Sequence, residues 1–372
     1  MKELRTSLFM KKIYLPILIC GLILGNSCKT KTEKLYVGTF TSNGSDGLYS
    51  YSFNTTTGEI THKMLEAKLA DPSFLIISEN KKYLYTVEKT DEFKDSKGAV
   101  TAFKIENDGL TEINTVGTGG GYPCHVGISA KGDFLAASCY GDGSLSVYKV
   151  ANDGSLKENP QYIDHKVLDT VKTSHAHASL FTSDGLFTAD LGLDAVKRYS
   201  YDGERFVAGK QASLNLTNGA GPRHFKFSSN GKFLYVINEL NSTITVFQKQ
   251  NNGNFIAIET QSTVAENYTE KSYCADIHFS KDGKFLYGSN RGENTIVFFK
   301  VNPETGKLTL AGRESVQGDW PRNFAIDPTD NYVLVANERS NNISVFKRNT
   351  ENGSLEFLHE TELPSPVCLE FL

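Results

Sequence analysis

Four side chains that could bind an anion and move a proton recur at equivalent places of a repeated strand pattern. They are His177, Arg223, Glu239 and Arg291. Arginine is scarce in this chain, with nine residues against thirty lysines. A guanidinium group holds carboxylate or phosphate oxygens through paired hydrogen bonds, whereas imidazole and carboxylate groups serve as general acids and bases. The set predicts a site for an anionic ligand, unless Arg223 and Glu239 form only a structural ion pair within their own hairpin.

One of two neighbouring histidines belongs to this set by register. Both lie in the segment Ser-His-Ala-His-Ala, and His177 precedes the hairpin residue Gly185 by the same eight positions that separate Arg223 from Gly231. His175 then falls in the loop before the strand. The alternative for either histidine is a hydrogen-bonded packing residue. Register therefore favours His177 as the functional one.

Four further residues are candidates for substrate binding. Arg322 is the third arginine at such a position and suits a phosphate group. His125 and His224 either line a central channel or satisfy backbone groups. Trp320, the only tryptophan, either forms a wall of a sugar-sized pocket or is a packing residue.

No cofactor or metal ion is predicted. Asp276 and His278 are two positions apart, which strand alternation explains as well as metal ligation does. No Gly-x-Ser-x-Gly elbow, phosphate loop or nucleophilic Cys-His arrangement is present. Four dispersed cysteines are predicted to be packing residues, with a disulfide left open in an oxidising compartment: Cys124, Cys139, Cys274 and Cys368.

Seven copies of one strand pattern must position these side chains. Each copy reads as strand, hairpin, strand, loop, strand, and the copies repeat every 45 to 53 residues. Apolar residues stand three and five positions after the anchor of every copy, except at Ser179. Such a period with about four strands per unit is typical of propeller blades, so the predicted fold is an all-β, seven-bladed propeller. The anchors are Pro72, Pro123, Ala176, Pro222, Cys274, Pro321 and Pro366.

Hairpin geometry predicts which residues share a face of the ring. The residue that opens strand one and the residue that ends strand two emerge on the same side. One position after the anchor stand His177, Arg223 and Arg322. Seventeen positions after it stand Lys89, Tyr140, Glu239, Arg291 and Glu338.

The two ends of the chain are predicted to complete one blade together. The last copy stops after its first strand, Pro366 to Leu372, and the stretches from Leu35 and from Gly47 supply the missing strands. Such pairing closes the ring and leaves no exposed sheet edge.

The first residues predict export. Lys11 and Lys12 precede an apolar run from Ile13 to Leu24, and small residues lead to Cys28. Twelve apolar residues are too few for a permanent bilayer span. We expect residues 1–27 to be a signal peptide of the lipoprotein type with Cys28 lipidated, 28–34 a linker and 35–372 the propeller. The protein is then periplasmic or in the cell envelope, or cytoplasmic if the segment is not a functional signal.

The charge of the exported chain excludes one class of partner. Without residues 1–27 it carries 35 basic and 42 acidic residues, a formal charge of −7. A mildly acidic surface gives no electrostatic basis for binding nucleic acid. A small anionic molecule is the predicted partner, membrane contact is expected only through the lipid anchor, and the oligomeric state is left open.

The chain resembles the seven-bladed propeller lactonase family, which includes propeller-type 6-phosphogluconolactonases and the 3-carboxy-cis,cis-muconate lactonising enzyme. The resemblance rests on stretches spread over the whole mature chain: YVGTF (36–40), DPSFL (71–75), PCHV (123–126), HAH (175–177), GPRHF (221–225), INEL (237–240), SNRG (289–292), WPRNF (320–324) and PVC (366–368). In the muconate branch the family's proposed site has a histidine, two arginines and a glutamate, which implies His177, Arg223, Glu239 and Arg291 here. Ser174 stands where the family usually has proline.

The resemblance implies a lactonase, a carboxylic-ester hydrolase that opens a sugar lactone. The substrate implied by the family is 6-phospho-D-glucono-1,5-lactone, which gives 6-phosphogluconate. Export favours an unphosphorylated lactone, because sugar phosphates arise in the cytoplasm. Two other functions stay open: a non-catalytic ligand-binding propeller of the cell envelope, since one architecture serves many functions, and a muconate-type lactonising enzyme.

Overall fold

The computed structural model describes residues 31–91, 93 and 96–372. The predicted signal peptide and Cys28 lie outside the described residues. Residues 31–372 form one compact unit. No helix in the described part of the chain has the length and apolar character needed to cross a bilayer.

Seven four-stranded antiparallel sheets build this unit, which confirms the predicted seven-bladed all-β propeller. Six blades are continuous in sequence. Blade 1 is Leu75–Ile77, Tyr83–Glu88, Ala99–Glu106 and Gly109–Gly117; blade 2 is Pro123–Ile128, Phe134–Cys139, Ser144–Lys149 and Gln161–Asp164; blade 3 is Ala176–Thr182, Gly185–Asp190, Ala195–Tyr201 and Phe206–Asn215. Blade 4 is Pro222–Phe227, Phe233–Asn238, Thr243–Lys249 and Phe255–Ser262; blade 5 is Tyr273–Phe279, Phe285–Arg291, Thr295–Val301 and Leu308–Ser315; blade 6 is Pro321–Ile326, Tyr332–Asn337, Asn342–Arg348 and Leu355–Glu362.

Blade 7 combines the two ends of the described chain. Its innermost strand, Pro366–Phe371, pairs antiparallel with Thr32–Thr39, and Leu48–Asn54 and Ile60–Ala67 complete the sheet. The N-terminal strand begins three residues before the predicted propeller boundary at Leu35, because Thr32 to Lys34 continue the ladder with the second strand. These three residues are polar and show no alternation of apolar side chains, so the sequence pattern predicted a linker there.

The core lies between the blades. Alternating apolar residues of each sheet interdigitate with those of the next, as in the cluster that joins Tyr235 of blade 4 to Leu286 of blade 5. Successive innermost strands contact one another around the ring, and the strand of blade 7 contacts that of blade 1. Each buried aromatic ring removes roughly 150 to 250 Å² from water, so packing between blades is the main favourable term.

A recurrent hydrogen bond ties neighbouring blades together. The hydroxyl groups of Tyr85, Tyr235 and Tyr287, each on a second strand, donate to a glycine carbonyl in the outer turn of the next blade at 3.0, 2.8 and 2.9 Å. The phenol is thus buried with its polar group satisfied. Two short 3-10 helices, Thr41–Asn43 and His165–Leu168, lie in connecting loops.

Candidate active site

A β-bulge near the start of most innermost strands points one side chain into the mouth of the ring. In blade 4 the ladder shifts between Pro222 and His224, which leaves Arg223 as the extra residue. The same shift leaves His177 as the extra residue in blade 3 and Arg322 as the extra residue in blade 6. A bulge bends its strand and redirects the extra side chain, so residues of three blades turn toward one cavity.

The mouth contains a cavity of about 430 Å³, called here the upper cavity. All seven blades contribute to its lining. The lining comprises Asp71, Ser73 and Lys89 of blade 1, Tyr122, Pro123, Cys124 and Tyr140 of blade 2, His177 of blade 3, Arg223 and Glu239 of blade 4, Arg291 of blade 5, Arg322 and Glu338 of blade 6, and Phe40, Ser42 and Asn43 of blade 7. Four cations thus meet three carboxylates, which leaves an excess of positive charge in a chain of net charge −4.

Glu239 bridges two of the arginines. Its Oε2 atom lies 3.0 Å from Nε of Arg223 and 2.8 Å from Nη2 of Arg291. Burial by itself raises the pKa of Glu239, but the positive charges of Arg291, Arg223 and Arg322 lower it below its ordinary value. Burial lowers the pKa of Arg223 to about 9, with nearby Arg291 acting in the same direction. Glu239 is therefore an ionised carboxylate that holds two buried guanidinium groups side by side.

Backbone carbonyl groups orient the same two arginines. Nη1 of Arg223 donates to the carbonyl of Ala275 at 2.5 Å. In Arg291, Nε and Nη2 donate to the carbonyls of Tyr273 and Cys274 at 3.2 and 3.0 Å. The guanidinium groups thus have little freedom to turn, which favours binding of an anion without reorganisation.

His177 presents a neutral imidazole to the upper cavity. The residue is 4% exposed, and its Nδ1 atom has no hydrogen-bond partner among the described residues. Burial lowers its pKa well below the usual value, and the charge of Arg223 lowers it further. His175 lies behind it, where its ring stacks on Tyr140 and its Nδ1 is 2.8 Å from the Tyr140 carbonyl oxygen. Of the two histidines, His177 lines the cavity.

Arg322 is less tightly held than the other two arginines. Its Nη1 atom is 3.6 Å from Oε2 of Glu338, and its guanidinium carbon lies 4.9 Å from the centre of the Phe40 ring. The guanidinium makes no hydrogen bond to any of the described residues, and Glu338 Oε2 is likewise buried without one. Lys89 and Asp71 across the mouth are also loosely paired, at 4.0 Å. Arg322 and Lys89 can therefore meet a ligand without first breaking a side-chain hydrogen bond to the described residues.

The two histidines that were predicted to bind substrate do not line the upper cavity. His125 and His224 lie further along the innermost strands, in a second cavity of about 120 Å³, called here the lower cavity. Their rings contact each other at 5.4 Å, and His125 stacks on Phe74 at 4.1 Å. His224 also contacts the ring of His177 from below, at 5.2 Å.

Trp320 also lies outside the lining of the upper cavity and supports Arg291 instead. Its ring is 5.3 Å from the guanidinium of Arg291 and 3.4 Å from that of Arg339. Its φ of 67° is in the left-handed region, which is costly for a bulky residue. The backbone N–H donates to Oδ1 of Asn294, which helps to hold this conformation.

The cysteines show no nucleophilic character. All four described cysteines are free thiols, and Cys124 lines the upper cavity. Burial raises the pKa of Cys124 to about 12, so its thiol stays protonated at neutral pH. No cluster of three or more metal-ligating side chains is present in residues 31–91, 93 and 96–372.

Several lining residues were missed from the sequence. Asp71, Phe40 and Tyr122 lie outside the hairpin positions used to select candidates, although Phe40 and Asp71 belong to the quoted stretches YVGTF and DPSFL. Asp71 accepts hydrogen bonds from the Thr41 hydroxyl and the Ser42 N–H, at 3.2 and 2.9 Å. It therefore fixes a loop of blade 7 that walls the cavity.

Comparisons with known proteins agree over nearly the whole chain. The family model "Lactonase, 7-bladed beta-propeller" matches residues 34–371. A 6-phosphogluconolactonase of Bacillus subtilis is 35% identical over 346 residues, covering 91% of this chain and 97% of that protein. One of Formosa agariphila is 38% identical over 339 residues, covering 87% and 95%.

Solved structures give the same result. A putative 6-phosphogluconolactonase of Bacteroides fragilis has 33% identity and a TM-score of 0.83, covering 93% of this chain and 99% of that one. A periplasmic gluconolactonase of Pseudomonas aeruginosa has 31% identity and a TM-score of 0.86, covering 92% and 99%.

Proposed function

Because the chain belongs to the family of seven-bladed β-propeller lactonases and is a carboxylic-ester hydrolase of sugar lactones, we propose that it hydrolyses 6-phospho-D-glucono-1,5-lactone to 6-phosphogluconate in the upper cavity. The observation that carries the proposal is the convergence of Arg223, Arg291 and Arg322 on one cavity. Arginine donors in a buried cavity bind phosphate and stabilise the oxyanion of ester hydrolysis.

Arg223 and Arg291 hold the lactone carbonyl. Attack of water on the carbonyl carbon places negative charge on the carbonyl oxygen, and the two guanidinium groups lie side by side on Glu239. One donor that is already oriented toward such an oxyanion contributes about 3 to 4 kcal/mol to the stability of the transition state. Glu239 keeps both donors in place, and its two charged partners make it a weak base.

His177 moves the proton. Its neutral imidazole, which lines the upper cavity and makes no side-chain hydrogen bond to the described residues, accepts a proton from the attacking water and returns it to the ring oxygen as the carbon–oxygen bond breaks. The products are a carboxylic acid and an alcohol, so no other reactant is required. A bound anion offsets the positive charge of Arg223, which raises the pKa of His177 toward its ordinary value.

Arg322 and Lys89 bind the phosphate. Their ion pairs with Glu338 and Asp71 measure 3.6 and 4.0 Å, so both cations can exchange a loose partner for a dianion. In this arrangement the phosphate lies at Arg322 and Lys89, and the lactone ring reaches from there to His177.

A lactone assay tests the proposal. The protein is incubated with 6-phosphogluconolactone and with glucono-1,5-lactone, and acid release above the spontaneous rate is recorded in a pH-stat. We expect both to be hydrolysed, with kcat/KM at least about tenfold higher for the phosphorylated lactone, since a charged hydrogen bond contributes roughly 1.5 to 3 kcal/mol. Turnover of the unphosphorylated lactone alone would assign the enzyme to that substrate and reject the phosphate site.

The unphosphorylated lactone is the second candidate, favoured by the export predicted from residues 1–27. We propose that the chain is exported and carries lipid on Cys28. The periplasmic gluconolactonase of Pseudomonas aeruginosa, at 31% identity, is a relative in such a compartment. Mass spectrometry of the mature N-terminus tests this assignment, and an unprocessed Met1 would overturn it.

A further inference from the structure

We propose that Asp276, acting through His224, is a positioning residue that fixes the guanidinium of Arg223 for lactone hydrolysis. The inference rests on the proposed role of Arg223 in the upper cavity. Asp276 and His224 lie in the lower cavity, outside the set that lines the mouth. Both are nearly inaccessible, at 2% and 6% exposed.

A continuous row of polar contacts joins the two cavities. Oε2 of Glu239 lies 3.0 Å from Nε of Arg223. Nη1 of the same arginine is 3.4 Å from Nε2 of His224, and Nδ1 of His224 is 2.7 Å from Oδ1 of Asp276. The buried guanidinium is thus held between a carboxylate above it and an imidazole and carboxylate below it.

The chemistry of these groups determines the direction of the two hydrogen bonds that His224 makes in the row. A guanidinium group only donates, so Nε2 of His224 must be the acceptor. The proton of the neutral imidazole is therefore on Nδ1, which donates to Asp276. Burial and the charge of Arg223 lower the pKa of His224 to about 4, in agreement with a neutral ring at pH 7. Asp276 thus selects the tautomer that can accept from Arg223.

Asp276 is itself held by groups of its own blade 5 and of blade 6. Its Oδ2 atom accepts from Nε2 of His278 in blade 5 at 2.9 Å and from Nδ2 of Asn323 in blade 6 at 2.5 Å. The backbone N–H of Ile277 donates to Oδ1 at 2.9 Å. Burial by itself raises the pKa of Asp276, but the imidazoles of His278 and His224 hold it well below its usual range. The carboxylate is an immobile acceptor that determines the position of His224.

The row identifies His224 as a support of Arg223 and not as a group that contacts substrate. The bulge in blade 4 explains why adjacent residues have these different roles. It turns Arg223 into the mouth and leaves His224 on the channel side of the same strand. Every atom in the row is placed by protein groups, so the carbonyl-binding donors are oriented before substrate arrives.

Variants of both residues test the inference through kcat. His224→Phe removes the acceptor, and Asp276→Asn removes the charge that selects the tautomer. We expect each to lower kcat by about 10- to 100-fold, since a small misplacement of a catalytic group has an effect of this size, with KM changed less than about threefold. His224→Gln can still accept from Arg223 and donate to Asp276, so it should recover at least about a third of wild-type kcat.

A double-mutant comparison separates positioning from general loss of structure. In an Arg223→Lys background, Asp276→Asn should lower kcat by less than about twofold, because the group on which it acts is gone. Asp327→Asn is the matched control. Asp327 is also fully buried and accepts from the N–H groups of Asn331 and Tyr332 at 2.8 and 2.7 Å, but it does not line the upper cavity. It should lower the melting temperature and leave kcat unchanged.

Several results would overturn the inference. They are an equal loss of kcat from Asp276→Asn in both backgrounds, an equal loss from Asp327→Asn, or full activity in His224→Phe. If Asp276→Asn does not fold, the comparison of His224→Gln with His224→Phe decides. Absence of any effect of Arg223→Lys on turnover would instead reject the proposed function. A crystal structure of Asp276→Asn tests the inference without an activity assay. The Arg223 guanidinium should move away from the Ala275 carbonyl oxygen, and an unmoved guanidinium would refute the inference.

Discussion

Oε2 of Glu239 lies 2.8 Å from Nη2 of Arg291, which joins blade 4 to blade 5 across the mouth of the ring. Because the same oxygen also contacts Arg223, one carboxylate atom holds two guanidinium groups that would otherwise repel each other. The geometry of the carbonyl-binding donors thus depends on an ion pair between blades.

Replacing Glu239 should affect both activity and stability. Glu239→Gln leaves two buried cations without a counter-charge, and loss of one partner of a buried pair reduces the free energy of unfolding by about 3 to 5 kcal/mol. We expect kcat/KM to fall at least about 100-fold. Urea unfolding and the lactone assay measure the two effects. Exposed Glu356 supplies the control, and unchanged stability of Glu239→Gln would contradict the bridging role.

Replacing His177 should affect activity with little effect on stability. Its ring borders the upper cavity and makes no hydrogen bond to the described residues, so His177→Ala leaves no polar partner unpaired and removes mainly the ring contacts with His224 and Tyr140. We expect kcat to fall by about 10²- to 10⁴-fold, the usual contribution of a general base. Thermal unfolding should shift by less than a few degrees. Retained kcat in His177→Ala beside an exposed control, His62→Ala, would exclude His177 as the base.

Arg322 should distinguish phosphorylated from unphosphorylated lactone. Arg322→Gln removes a charge that is paired only at 3.6 Å with Glu338. KM for the phosphorylated lactone should rise by about 10- to 100-fold, whereas KM for glucono-1,5-lactone should change less than about twofold. Arg339→Gln, at an exposed residue outside the lining of the upper cavity, is the matched control. Equal changes for both substrates would mean that Arg322 does not contact the phosphate.

Stability should fall on mild acidification. Burial lowers the pKa of His125, His177 and His224, so each takes up a proton on unfolding below about pH 6.5. Glu370 has the opposite sign: burial raises its pKa to about 7, and its contribution is fully present below about pH 4.5 and lost as pH rises through about 7. The net uptake of about two protons predicts a loss of roughly 2 to 3 kcal/mol between pH 6 and pH 5.

Urea unfolding at pH 7, 6 and 5 measures this dependence. Glu370→Gln removes the proton that Glu370 releases on unfolding, which opposes the uptake by the imidazoles, so the stability of this variant should fall more steeply over the same interval. A free energy of unfolding that stays flat or rises from pH 7 to pH 5 would contradict the predicted net proton uptake by the three imidazoles.

Removal of the last strand should prevent folding of the whole ring. Deleting residues 366–372 leaves one edge of the strand Thr32–Thr39 unpaired and opens the contact between blade 7 and blade 1. We expect loss of the cooperative thermal transition. Insertion of one glycine into the exposed turn at Asn252 is the control and should leave the transition in place. A cooperative transition in the truncated chain would show that closure is not required.

The residues of the mouth could be predicted because the spacing of residues within each copy determines the register of its hairpin. Counting from the anchor and from the turn glycine selected His177, Arg223, Arg291 and Arg322, and the structure brings all four to one cavity. Counting could not separate neighbouring positions. A pattern of strict alternation does not reveal a β-bulge. Arg223 and His224 were therefore both candidates for the site, although they face different cavities.

Contacts between distant blades were also beyond the sequence. Asp276 was considered only with His278, which is two residues away, whereas the structure adds His224 and Asn323 from two other blades. The distance between these segments along the chain leaves no local signal. The contact of Trp320 with Arg291 was not predicted for the same reason, because it depends on the loop between two blades.

The bulged positions also bear on how such a protein can change its substrate. An extra residue that is outside the strand ladder can be exchanged without moving the backbone pairs on either side. Cys124 and Ala275 occupy such positions beside the arginines and carry little chemistry of their own. A combinatorial library at these sites would let new specificities evolve in a scaffold whose folding is left intact.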